Sequence, residues 1–199
     1  MTPTRRAAFA AGFALLVAPR STARGRAEAL GVAVVGCGAR GTQLALEVSK
    51  LGHDLVALCD IAPFRLAALS KLLPADAARL ETANYRRVLD HKSVDAVVIA
   101  TPDHHHKDQL LAALGADKDV YIETPLTKSL DEHADVAEAA RKANRVVQVG
   151  LQRRSSAAWE ESTRLARGRA FGQLVRAAAW DARNWQTRDP LAPPAGGRP

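Results

Sequence analysis

Cysteine is scarce in this 199-residue chain, which has only Cys37 and Cys59. Two thiols cannot form the disulfide framework of a small secreted scaffold, and no metal-ligand spacing links them. Both are expected as small buried fillers at one edge of a sheet. Long apolar runs are missing too: the stretch Phe9–Ala18 falls short of the roughly 20 residues that a membrane-spanning helix needs. No internal repeat and no coiled-coil pattern occur. Excess positive charge is missing from the body of the chain as well, although the formal net charge is +7. Residues 1–29 carry +4, residues 30–151 carry −2 and residues 152–199 carry +5. The central body is mildly acidic, which argues against a nucleic-acid partner. What is present is an ordinary globular composition, 47% hydrophobic, in a length that holds one domain with a core plus a remnant.

Short apolar runs alternate with helical patterns from residue 30 to residue 151, which predicts βαβ units and a doubly wound parallel sheet of α/β class. Strands are expected at Leu30–Val35, Leu55–Cys59, Leu80–Ala83, Ala96–Ala100, Asp119–Ile122 and Val146–Val149. The helices between them are expected at Gly38–Leu51, from Pro63 to about Leu73, at Tyr85–Asp90, from Asp103 to about Ala116, and at Ser129–Asn144. Pro63 suits a first helical turn, and Asp103 is expected to cap the helix it precedes. One more helix (Ser155–Arg167) and one more strand (Leu174–Trp180) follow. The tail after Pro190 has no periodicity.

The densest chemistry sits at the carboxyl edge of that sheet, where open parallel sheets bind ligands. Gly36-Cys37-Gly38-Ala39-Arg40-Gly41 forms G-x-G-x-x-G between a strand and a helix. Gly36 allows the tight turn, Gly38 lets the backbone approach a pyrophosphate, and Gly41 lets the helix pack close to the sheet. The pyrophosphate would rest on the free amides at the helix start. Asp60 ends the second strand, where a carboxylate accepts hydrogen bonds from adenosine ribose hydroxyls and repels a 2′-phosphate. NAD is therefore favoured over NADP, a preference that Arg65 would soften. The alternative role for Asp60 is a cap for the helix starting at Pro63. Thr101-Pro102-Asp103-His104-His105-His106 follows the fourth strand and Glu123-Thr124-Pro125 the fifth. Consecutive histidines on a helix do not face one another, so no metal site is expected. One of them is expected to turn toward a nicotinamide pocket.

The ordered set of the glycine turn, Asp60, Thr101-Pro102-Asp103-x-x-His106, Glu123-Thr124-Pro125-Leu126-Thr127 and Val147-Gln148-Val149-Gly150-Leu151-Gln152-Arg153 resembles the Gfo/Idh/MocA oxidoreductase family. The resemblance covers about residues 30 to 185. It implies a Rossmann domain over 30–151 and the start of an incomplete second α+β domain over 152–199. It also implies a cofactor-binding set of Gly36, Gly38, Arg40, Gly41, Asp60, Thr101, Pro102, His106, Glu123 and Gln152, with Gln152 bordering the substrate cleft. His106 and Glu123 are the candidate catalytic residues. The implied reaction removes hydride from a carbon of a sugar or polyol. In the family's Glu-Lys-Pro motif the lysine polarises the substrate hydroxyl; here that position is Thr124, which carries no ammonium.

Residues 1–29 read as an export leader. Arg5-Arg6 ahead of the apolar stretch resemble a twin-arginine signal, with the aromatic Phe9 one place later than usual. Cleavage is expected after Ala23 or Ala29, giving a periplasmic protein with no stable membrane insertion. That route carries folded proteins, so the cofactor would travel inside. Three functions stay open: a sugar- or polyol-directed oxidoreductase, an NAD-binding module without turnover, and a glycosidase that oxidises its sugar transiently with bound NAD. Association into a homo-oligomer stays open as well.

Overall fold

The computed structural model describes residues 29–74, 79–168, 171–173, 175–176 and 178. Six strands, β1 (Gly31–Val35), β2 (Asp54–Cys59), β3 (Leu80–Thr82), β4 (Ala96–Ile99), β5 (Asp119–Glu123) and β6 (Val147–Gly150), form one sheet. Its order is β3-β2-β1-β4-β5-β6, and every pairing is parallel. The order reverses direction between β1 and β4, which opens a crevice there at the carboxyl edge.

Successive strand residues point to opposite faces, so a sheet covered on both sides needs apolar residues at every position. Val32, Val34, Leu58 and Val98 pack on one face against α1 (Ala39–Lys50) and α2 (Pro63–Ser70), through Leu44, Val48, Leu66 and Leu69. Ala33, Val35, Val97, Ile99, Val120 and Ile122 face the other way. They meet α3 (Tyr85–Leu89), α4 (His106–Gly115) and α5 (Leu130–Ala143) through Val88, Leu110, Ala113 and Val136. Ser129 caps α5 by accepting the Glu132 N–H at 3.2 Å, and Asn144 ends it in the left-handed conformation.

The two largest differences from the expected helix limits fall at the end of α2 and the start of α4. α2 ends at Ser70 rather than near Leu73, because Leu72 and Leu73 close tighter turns onto Leu69 and Ser70. Asp103 caps nothing with its side chain. It opens a 3₁₀ turn, Asp103–His105, and α4 starts only at His106. Beyond the sheet, α6 (Ala157–Arg167) follows a 3₁₀ turn at Gln152–Ser155 and buries none of its residues. The leader lies outside the described residues apart from Ala29, and so does most of the expected strand at 174–180.

Candidate dinucleotide site

The turn after β1 is built from backbone too close for side chains. Gly36 has φ +92°, a left-handed value that favours glycine, and a Cβ on it would lie 2.6 Å from the Ala100 carbonyl oxygen. A Cβ on Gly41 would lie 1.7 Å from the Gly36 carbonyl oxygen, so α1 can approach the turn only with glycine there. Gly38 opens α1 with no side chain capping the helix and no acid in its first turn. The positive end of α1 is thus left for an anion from elsewhere.

Asp60 fastens this turn to β2. Its Oδ2 accepts the Cys37 N–H at 2.7 Å and its Oδ1 accepts the Ala62 N–H at 2.8 Å, with the residue only 8% exposed. The first residue flanking α2 is Ala62, so Asp60 is not its cap. Each carboxylate oxygen keeps a second lone pair for a hydroxyl. Beneath it, Cys37 and Cys59 are free and buried. Burial, with the Asp60 charge beside them, pushes each thiol up to about 12.

Across the crevice, Arg40 reaches from α1 to β5. Its Nε and Nη2 both donate to Glu123 Oε1, at 2.8 and 2.7 Å, and its Nη1 donates to Gln43 at 2.8 Å. The Tyr121 hydroxyl donates to the same Glu123 oxygen at 3.3 Å. Burial, then the Glu123 charge, pushes that phenol up. Tyr121 was not among the expected site residues. Its spacing of two from Glu123 on a strand puts both on one face, and that was the available signal.

His106 lies deeper than the other residues expected at this edge. Expected at the nicotinamide side and as a catalytic candidate, it is instead 1% exposed. Its Nε2 faces the Thr101 carbonyl oxygen at 2.9 Å and its Nδ1 faces the Pro125 carbonyl oxygen at 2.6 Å. The 3₁₀ turn before α4 rotates the ring inward, while His104 and His105 stay exposed. Both nitrogens thus face backbone between the β4 and β5 loops. The Thr101 hydroxyl donates to Gln109 at 2.6 Å. Pro102 and Thr124 are exposed at the edge. Gln152 lines a cleft of about 620 Å³ on the α1 face with Arg40, Gln43, Tyr121, Gln148 and Arg154.

Residues 30–151 match the family model described as the Gfo/Idh/MocA oxidoreductase family with the NAD-binding Rossmann fold. The chain belongs to that family. This Gfo/Idh/MocA chain is 31% identical over 170 residues to an inositol 2-dehydrogenase of Arthrobacter sp. (strain FB24), covering 84% of this chain and 48% of that protein. It is 33% identical over 139 residues to a glycosyl hydrolase family 109 protein of Stenotrophomonas maltophilia (strain K279a), covering 65% and 31%. Among solved structures, the WlbA dehydrogenase from Chromobacterium violaceum in complex with NADH and UDP-GlcNAcA is similar. That match has a TM-score of 0.63 and 28% identity, and covers 79% of this chain and 44% of that one. The chain spans less than half the length of these relatives. The glycine turn fits a dinucleotide of the family's kind, since its glycines let α1 start close to the sheet and the uncapped helix end leaves amides for a diphosphate.

Proposed function

We propose that this Gfo/Idh/MocA chain holds NAD across the β1/β4 crevice and belongs to an oxidoreductase acting on a sugar- or polyol-like substrate. The observation that carries the reading is the turn itself. Glycines whose Cβ positions are filled by backbone lie next to a carboxylate anchored at the end of β2. The α1 amides would take the diphosphate, and the outward lone pairs of Asp60 would take adenosine ribose hydroxyls. Asp60 in that role favours NAD over NADP. Glu123, held at Oε1 by Arg40 and Tyr121, would offer Oε2 to a hydroxyl at the nicotinamide end.

Bound NAD supplies a hydride acceptor, and the protein's part is to orient a carbinol carbon and take up its hydroxyl proton. Thr124 cannot act as an ammonium acid or base there, and Glu123, its neighbour in the chain, is the carboxylate we assign to that proton. A similarity to a glycosyl hydrolase family 109 protein favours a second reading, oxidation and elimination at a glycoside without net NADH. The inositol-directed relatives favour the first. Incubating purified protein with NAD and a panel of polyols and aryl glycosides separates them. Polyol-dependent NADH formation supports the oxidoreductase, glycoside cleavage without NADH supports the glycosidase, and binding without either leaves a nucleotide-binding module. We further propose export by the twin-arginine route to the periplasm. Changing Arg5 and Arg6 to lysine should retain the protein in the cytoplasm, and unchanged export would refute that route.

A further inference from the structure

Two places in residues 1–29 present small residues at the spacing a leader peptidase reads, Ser21-Thr22-Ala23 and Ala27-Glu28-Ala29. By residue type the second is the better match, an A-x-A. The fold reverses that order. Leu30, the first residue beyond the second place, is 3% exposed, and Val32 is fully buried. Ala29 itself is exposed, so burial begins at the bond to be cut.

The backbone beyond that bond is committed as well. The Leu30 N–H donates to His53 Nδ1 at 3.3 Å, and the Leu30 carbonyl accepts the Asp54 N–H at 2.9 Å. The Gly31 N–H donates to Asp95 Oδ2 at 2.9 Å, and the Gly31 carbonyl accepts the Asp95 N–H at 2.7 Å. A Cβ on Gly31 would lie 1.8 Å from the Ser93 carbonyl oxygen, so the chain is walled in there. These residues lead into β1, which pairs with β2 and β4 inside the sheet. A protease takes its substrate as an extended strand, through main-chain hydrogen bonds on both sides of the cut. To supply Leu30, Gly31 and Val32, the fold would have to release an inner strand, an opening close to global unfolding. A cut after Ala23 asks for none of this. Residues 24–29 then separate the bond from β1, a reach of roughly 20 Å when extended.

We propose that the leader is cut after Ala23, because the folded domain shields the bond between Ala29 and Leu30. The inference rests on export by the twin-arginine route, which carries folded proteins, since a chain cut before folding would expose both bonds. The mature protein then begins at Arg24 and keeps Arg24-Gly25-Arg26-Ala27-Glu28-Ala29 ahead of β1. A product beginning at Leu30 can come only from a chain cut before it folds.

Two measurements test this. In the first, purified full chain and a synthetic peptide of residues 24–36 are digested with elastase, which cuts after small residues, and the fragments are weighed by mass spectrometry. The Ala29–Leu30 bond of the peptide should be cut, and the same bond in the folded chain should be cut at least about a hundred-fold more slowly. Rates within about ten-fold of each other would overturn the shielding, whatever the export route. In the second, the full chain is expressed in a bacterium with a working twin-arginine pathway, and the exported protein is weighed intact. Wild type should begin at Arg24. Ala29→Leu should be cut at the same place, and Ala23→Leu should stay uncut. A product beginning at Leu30, from wild type or from Ala23→Leu, would overturn the proposal, and so would a wild-type product beginning at any residue other than Arg24. Wild type held in the cytoplasm with its leader refutes the export reading and the cut with it, while the elastase comparison decides the shielding alone.

Discussion

His53 and the two thiols tie the fold's stability to pH on opposite sides. The His53 ring accepts the Leu30 N–H at 3.3 Å through Nδ1, an arrangement available only while that nitrogen lacks a proton. Burial holds its pKa below the ordinary 6.5, against a smaller opposing pull from Asp54. A histidine lowered on folding contributes stability that is present above 6.5 and lost as pH falls below it. His53→Gln should therefore flatten the acid side of a stability-versus-pH curve, and an unchanged curve would contradict this. The thiols act on the other side. Raised from 9.0 to about 12, Cys37 and Cys59 contribute stability that is present below pH 9 and lost between 9 and about 12. Natively folded protein should accordingly resist iodoacetamide at pH 8, and rapid labelling of either cysteine would refute their burial.

The Arg40–Glu123 pair belongs to the same scale. Its side chains are 26% and 13% exposed, so solvent screens the pair less than a surface ion pair. A double-mutant cycle with Arg40→Met and Glu123→Gln should give a coupling of about 1 kcal/mol or more in unfolding free energy. Additive effects would show that the two act independently.

At the scale of elements, His106 is a bolt between two loops. Its ring spans the carbonyls of Thr101, after β4, and Pro125, after β5. These loops carry the family motifs at the carboxyl edge. Removing the ring leaves a cavity and two carbonyls without it. His106→Ala should cost about 2–4 kcal/mol in denaturant unfolding and speed amide exchange in both loops. A loss below about 1 kcal/mol, with exchange unchanged, would show that the loops hold without it.

The elements were legible where one rule acted alone. Uniform apolar runs gave the buried parallel strands β1 and β4, and Ser129 marked the start of α5. Local rules competed at Asp103, where cap chemistry lost to a 3₁₀ turn. That turn set the direction of His106, and no residue pattern announces such a rotation. The Arg40–Glu123 contact joins positions 83 apart in sequence, so periodicity within either element is silent about it. The place of Asp60 at the end of β2 was legible. Its grip on the Cys37 amide was not, because it depends on how closely the ends of β1 and β2 lie.

For the whole molecule, the sheet order places the glycine turn, Asp60 and the β4 and β5 loops along one edge. The account stands on that edge holding a dinucleotide. Gly41 is where this is most exposed to test, because a side chain there meets the turn's own backbone. Titration calorimetry with NADH on the full chain, beside a Gly41→Val variant shown by circular dichroism to be folded, is the direct measurement. The account predicts saturable binding by the wild type and loss of at least about ten-fold in the variant. No heat of binding from folded wild type, or equal affinity in the two proteins, would contradict it.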